Sequence, residues 1–287
     1  MEIPLVSVLM TAYNREKFIS EAIESVLAST YSNFELIIVD DCSVDNTLAI
    51  VKKMAALDSR IKFYINEKNL GDYPNRNRAA SYAVGKYLKY VDADDQIKTD
   101  GLAYCVGAME AAPHAGLGML QLPVDESKDI QYLEPGEVVK KHFFVQQCLT
   151  ISPSGTIIRN DLFKKLRGFD TRFGVASDMY FNLKYASVAP VIFLPKVFFF
   201  YRRHEGQEIN NPFSYLKFGY LYQREIFAEQ LLPLPSEKIQ FLKKKNVKRF
   251  AVNYFRTILK STNRQQVKGL LKELSLNEFD LVKSLFY

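Results

Sequence analysis

The strongest constraint on this chain is an alternation of pattern in its first hundred residues. Residues 6–11 form an unbroken apolar run, as in a strand buried on both faces. Phe18, Ile19, Ala22, Ile23, Val26 and Leu27 then recur at helical spacing. A second apolar run covers 35–39. Leu48, Ile50, Val51 and Met54 predict the next helix, and a third strand covers 61–65. A helix is predicted over 75–84 and a fourth strand over 87–91. Strand and helix taken in turn imply an α/β fold with a mostly parallel central sheet and right-handed crossovers. Such sheets hold ligands at the carboxyl ends of their strands.

Beyond residue 100 the pattern loosens. Helices are predicted at 100–111, 160–166 and 177–187. Strands are predicted near 116–122, at 154–158 and at 197–201, with a loop-rich stretch before Pro135. The last 75 residues read as helices. One apolar stripe runs Val247, Phe250, Ala251, Tyr254, Phe255, Ile258, Leu259. A second is Leu270, Leu271, Leu274, and a third is Leu281, Val282, Leu285, Phe286. Charge is unevenly spread. Residues 237–287 hold twelve Lys/Arg against four Asp/Glu, a net +8 in a chain of net +6.

Composition excludes several classes. With 48% hydrophobic and 24% charged residues the chain is globular. Cys42, Cys105 and Cys148 are odd in number and lack a CxxC, which argues against a disulfide framework or zinc knuckle. The N-terminal residues lack the features of a signal peptide, and the most apolar later stretch, 188–201, is too short to span a bilayer. The expected location is cytoplasmic, with peripheral attachment at the inner face of the cell membrane as an option for the basic tail. No G-x-G-x-x-G follows the first strand and no GxxxxGK[ST] occurs, against a dinucleotide-binding dehydrogenase and a P-loop NTPase.

Two acidic groups fall at strand ends: Asp40 and Asp41 after the second strand, and Asp92, Asp94 and Asp95 after the fourth. Three carboxylates within four residues repel unless a cation or donors neutralise them. Hard oxygen ligands of this kind suit Mg²⁺ or Mn²⁺.

Four segments together resemble family 2 glycosyltransferases of the GT-A fold. They are VSVLMTAYN (6–14), FELIIVDDCSVDNT (34–47), NLG followed by RN (69–77), and DADD (92–95). The resemblance covers roughly residues 4–205. It implies a catalytic domain over 1–210, with a nucleotide-binding half at 1–100 and an acceptor half at 101–210. Residues 211–287 are then a basic amphipathic helical extension.

The resemblance also implies roles. Thr11 and Tyr13 line the nucleotide pocket, Asp41 accepts from a uracil ring N–H, Arg76 reaches the base or diphosphate, and Asp92 faces the ribose or sugar. Asp94 ligates Mn²⁺ or Mg²⁺, with His204 completing the metal or touching the diphosphate beside Arg202 and Arg203. Asp95 supports the metal or the donor sugar, and Gly155 shapes a substrate pocket. Asp178 is the expected base; the family has a Glu-Asp pair there, and Ser177 replaces its first member. Cys42 stands where the family usually has glycine, and so does Ala79. His114 and His142 lack such context and are read as structural or exposed.

The activity implied is inverting, metal-dependent hexosyl transfer from a nucleotide diphosphate sugar, UDP-linked, to a hydroxyl of a glycan or lipid-linked glycan in bacterial-type surface polysaccharide synthesis. The alternative is a non-catalytic sugar-nucleotide-binding protein of the same fold. For 237–287 the expected partners are an anionic membrane surface or a second copy of the chain; no nucleic-acid motif is present.

Overall fold

The computed structural model describes residues 3–204, 212–260 and 264–286. The alternation builds a sheet in the order β3-β2-β1-β4-β8-β6-β9-β7. β1 (Val6–Ala12), β2 (Phe34–Asp40), β3 (Ile61–Ile65) and β4 (Tyr87–Tyr90) all run parallel. All seven residues of β2 are buried, which is why its sequence lacks a polar alternation. Its one acid, Glu35, is compensated inside by Ser7 Oγ at 2.6 Å and at the edge by Lys62 Nζ at 2.7 Å. Between these strands lie α1 (Ile19–Leu27), α2 (Thr47–Ala55) and α3 (Asp72–Ser81).

The chain winds outward from β1 to β3, then returns to place β4 on the other side of β1. That reversal opens a crevice beyond the carboxyl ends of β1 and β4. Past β4 the sheet becomes mixed. β8 (Thr156–Arg159) pairs antiparallel with β4 and with β6 (Leu117–Leu120), and β9 (Val191–Leu194) runs parallel to β6. β7 (Gln131–Leu133) closes the edge, while β5 (Gln96–Ile97) and β10 (Phe199–Phe200) form a separate ribbon. The helices of this half are α4 (Gly101–Ala111), α5 (Pro135–Phe144), α6 (Asn160–Lys165) and α7 (Ser177–Ala186).

Several boundaries depart from the sequence reading. α3 starts at Asp72 and stops before Val84, which is 69% exposed. The apolar stretch after 188 holds two strands, because Pro195 cannot donate to a ladder and separates β9 from the two-residue β10. The loop-rich stretch contains β7, and α5 follows it with a capping box between Glu134 and Glu137.

The helical tail comprises α8 (Pro212–Ala228), α9 (Ser236–Lys260), α10 (Arg264–Glu273) and α11 (Glu278–Ser284). Tyr222, Ile226, Phe227, Ile239 and Leu242 join the main core. Leu216, Tyr220, Phe250, Tyr254, Leu270 and Leu281 form a second, smaller core. Three members of the predicted stripes stay outside: Val282 is 45%, Leu259 76% and Phe286 83% exposed. Among the described residues no helix is long and apolar enough to cross a membrane.

Candidate active site

The turns after β1 and β2 are laced together. Asn14 N–H donates to Ser43 Oγ (2.9 Å), Arg15 N–H to Thr47 Oγ1 (2.7 Å), and Val44 N–H to Asn14 Oδ1 (2.9 Å). Cys42 takes a φ of +66°, the left-handed region that glycine enters freely. This is the position at which the family usually has glycine. Thr11 is half-buried at the end of β1, and the Tyr13 ring just beyond it is exposed.

Asp41 is buried and holds the loop before α3. Its Oδ1 accepts from Asn66 Nδ2 (2.7 Å) and Leu70 N–H (2.8 Å), and its Oδ2 accepts from Gly71 N–H (2.9 Å). Oδ2 thus keeps a second lone pair for a further donor.

Arg76 is the hub of the crevice. Its Nε donates to Asp72 Oδ1 at 2.7 Å and its Nη1 to Asp92 Oδ1 at 2.6 Å. The guanidinium also lies over the Tyr73 and Tyr90 rings, at 5.8 and 5.7 Å. Burial alone would raise the Asp92 carboxyl, but Arg76 overrides it and holds the group below the usual range.

Asp178 stands in the first turn of α7 and is 7% exposed. Burial pushes its pKa up to about 7, against the Met179 N–H at 2.7 Å, a hydrogen bond from Tyr73 and the charge of Arg76. The structure therefore brings Asp178 into the same cluster as Arg76 and Asp92, across 86 residues of chain. The tail buttresses this turn. Phe218 of α8 packs so close to Gly174 (φ +47°) that a Cβ would meet its ring at 2.6 Å, and Tyr180 donates to Glu229 Oε2 at 2.6 Å.

The remaining carboxylates meet the segment after β10. Asp94 Oδ2 lies 2.8 Å from His204 Nε2 and 3.1 Å from Arg15 Nε. His204 stacks on Phe18 at 4.9 Å. Asp95 Oδ1 accepts the Arg202 N–H at 3.0 Å, whereas Asp95 Oδ2 is buried and unpartnered among the described residues. Burial, with Asp92 and Asp94 nearby, pushes Asp95 up to about 7. An orphaned carboxylate oxygen behind a facing carboxylate and imidazole suits a hard divalent cation, which can be held by one or two side chains and keep its other positions for phosphate. No group of three or more ligating side chains occurs among the described residues. Glu205 and Gly206, which complete the motif around His204, lie outside them.

Gly155 sits in the turn 153–155, where a Cβ would meet Ile151 Cγ2 at 2.4 Å, so packing demands glycine there. Sequence reasoning overlooked three groups. Arg15 pairs with Asp94. Tyr73 supports Asp178. Lys89, wholly buried in β4, donates to the carbonyls of Tyr90 and Ser154, while Ser154 Oγ accepts the Asp92 N–H at 3.3 Å. Only Lys89 left a signal: a lysine inside an otherwise apolar strand run must find acceptors.

A parallel sheet reversing at β1/β4, with acidic turns at that reversal and a mixed second half, defines the GT-A class of α/β fold. The 1–349 portion of TarS of S. aureus, solved with UDP, shares it at a TM-score of 0.71 and 22% identity over 98% of this chain and 80% of that portion. A mannosyltransferase of Pyrobaculum calidifontis, solved with GDP-Man and Mn²⁺, aligns at a TM-score of 0.66 and 18% identity over 95% of this chain and 79% of its own. The sequence profile of glycosyl transferase family 2 matches residues 7–167, and the chain belongs to that family.

Among relatives, TuaG of Bacillus subtilis carries the name of a teichuronic acid biosynthesis glycosyltransferase. It is 40% identical over 34% of this chain and 39% of its own. WfgD of Escherichia coli is named a UDP-Glc:alpha-D-GlcNAc-diphosphoundecaprenol beta-1,3-glucosyltransferase. It is 46% identical over 32% of this chain and 35% of its own. The matches thus span little more than a third of these relatives' lengths.

Proposed function

We propose that this chain transfers a hexose, with inversion, from a UDP-linked sugar to a hydroxyl of a glycan or lipid-linked glycan, in the assembly of a bacterial-type surface polysaccharide. The observation that carries the reading is the placement of Asp178: a buried carboxyl held by Tyr73 and within the field of Arg76, in the crevice of a family 2 fold, where burial pushes its pKa up to about 7. A base for an acceptor hydroxyl needs such a value, since it must be largely ionised near neutral pH and still attract a proton. Asp178 takes the hydroxyl proton as the acceptor oxygen attacks the anomeric carbon from the face opposite the diphosphate. One displacement with one base inverts the configuration.

The chain's other residues bind and orient. Tyr13 offers its ring to the base, and Thr11 lines the same pocket. Asp41 Oδ2 takes the uracil N3–H, a donor that cytosine lacks. Arg76 keeps Asp92 ionised and aimed at the ribose or sugar. Asp94 and His204 would hold Mn²⁺ or Mg²⁺, with Asp95 behind them. When bound, such an ion neutralises charge on the leaving diphosphate. The name of WfgD and the UDP bound to TarS support the UDP donor, while the GDP-Man and Mn²⁺ of the Pyrobaculum enzyme support only a nucleotide sugar and a metal.

Calorimetry with UDP tests it. The protein should bind UDP, and more tightly with Mn²⁺ present. Asp94→Ala should remove that Mn²⁺ enhancement, on the order of tenfold or more. Equal enhancement in the variant would overturn the metal assignment, and binding of GDP in preference to UDP would overturn the donor assignment.

A further inference from the structure

At the seam between α5 and α9 lies a recess of about 240 Å³, lined by His142, Gln223, Lys245, Asn246 and Arg249 with Phe144 at its edge. Its chemistry is one-sided: the charged groups lining it are basic, with no carboxylate among them. His142, Gln223 and Asn246 are buried, at 2%, 5% and 3% exposure. His142 Nδ1 accepts the N–H groups of Cys148 (3.2 Å) and Leu149 (3.1 Å). The proton of the neutral ring therefore lies on Nε2, and that N–H has no acceptor among the described residues. Burial and the charge of Arg249 push the imidazole pKa down to about 4, so at neutral pH it is an uncharged donor. Asn246 Nδ2 and Arg249 Nη2 already donate to the carbonyls of Tyr220 and Gly219, and Gln223 Nε2 to Tyr222 Oη. What the lining offers an anion is therefore chiefly the positive charge of Lys245 and Arg249, with no carboxylate facing it.

The surface around the recess carries a second, independent feature. Phe144 and Phe241 are 41% and 54% exposed, stack at 6.3 Å, and stand beside Val145, which is 81% exposed. Lys238 Nζ lies 5.1 Å from the Phe144 ring centroid. Lys238, Phe241, Lys245 and Lys248 follow one another at spacings of three and four on the solvent face of α9, flanked by its buried face at Ile239, Leu242 and Phe250. α9 as a whole holds eight Lys/Arg and one acid, Glu237. Exposed aromatic rings set among lysines are the arrangement of a surface that rests on lipid, with rings at the acyl boundary and cations at the headgroups.

We propose that this face seats an anionic lipid: the headgroup phosphate enters the recess beside Arg249 and Lys245, and Phe144, Val145 and Phe241 enter the membrane interface. The occupant follows from charge and rim together. A soluble phosphate compound would use the recess and leave the exposed ring pair without a role. The site lies outside the donor crevice and shares no residue with it.

Flotation of the full chain with vesicles tests the inference. The protein should float with phosphatidylcholine vesicles containing about 30 mol % phosphatidylglycerol and stay behind with phosphatidylcholine alone. Phe241→Ser and Lys245→Glu, both at exposed positions, should each lower the bound fraction about tenfold. K52E/K53E, at exposed positions on α2, carries a larger charge change and should float like the parent. The proposal is overturned if the parent floats equally with both vesicles, if K52E/K53E loses as much as Lys245→Glu, or if inorganic phosphate binds the recess while no vesicle binds the protein. UDP affinity, measured on the same preparations, should be the same in all of them. Failure of the lipid site and failure of the donor assignment therefore read out separately.

Discussion

Asp178 is buried and Asp92 half-buried, and both lie within the influence of Arg76, yet they end with opposite acidities. Asp92, at the carboxyl end of β4 in the nucleotide half, has the guanidinium at 2.6 Å and is held below the ordinary carboxylate range. Asp178, in the acceptor half, feels the same cation only at a distance and rises to about 7. Burial penalises charge in both places; a direct ion pair reverses the sign of the outcome and a remote one does not. One cation thus divides two carboxyls into a fixed anion suited to binding and a titrating group suited to proton transfer.

The sharpest way to break this comparison is Asp178→Asn, which keeps the shape and removes the base. Transfer should fall about a thousandfold with UDP affinity unchanged; near-normal turnover would remove Asp178 from the reaction. Next in size is Arg76→Met, which puts an apolar side chain in the buried place of the guanidinium and leaves the half-buried Asp92 without its partner. Folding stability should drop by about 3 kcal/mol in urea titration, and UDP binding should weaken with it. A variant as stable as the parent would show that Asp92 does not depend on the pair.

pH sharpens the contrast. Because Asp178 must be ionised to accept a proton, turnover should fall about tenfold per unit below pH 7 and level off above it. The stability contribution runs the other way. The folded protein keeps a proton on Asp178 that the unfolded chain releases near 3.8, so this group costs stability as pH rises from about 4 to about 7. Asp92, with its lowered value, stabilises above the ordinary carboxylate pKa and loses that contribution as pH falls through its folded value. A turnover profile flat from pH 5 to 8 would contradict the assignment of Asp178.

The smallest expected effect is at Cys42. Glycine there should stabilise the protein by about 1 kcal/mol, because φ is +66°. An unchanged melting temperature would mean that the turn relaxes around the cysteine at no cost.

Much of the nucleotide half is legible in the primary structure, because each strand and its following turn are contiguous. Residues 6–14 and 87–95 each encode a buried strand and the polar turn that closes it. The acceptor half is less legible. β7 is three residues long, mostly exposed and without an apolar pattern, and a Pro-Gly opening disguises α5 as a turn. The Glu134–Glu137 capping box, with Pro135 at the first helical position, is the local signal that marks this helix. In the tail the apolar stripes read correctly as helices. Their helical spacing does not reveal that Tyr222 and Ile226 pack into the main core while Phe250 and Tyr254 build another.

By itself the sequence determined the order of strands and helices, the acidic turns at strand ends and the family, since these depend on hydrophobic period and on side chains a few residues apart. Tertiary structure alone decided which carboxyls are paired. Arg15 reaches Asp94 across 79 residues, Arg202 N–H reaches Asp95 across 107, and the contrast between Asp92 and Asp178 depends on where Arg76 lies in three dimensions. Proton affinity is set by distance and burial, and neither is a local property of the chain.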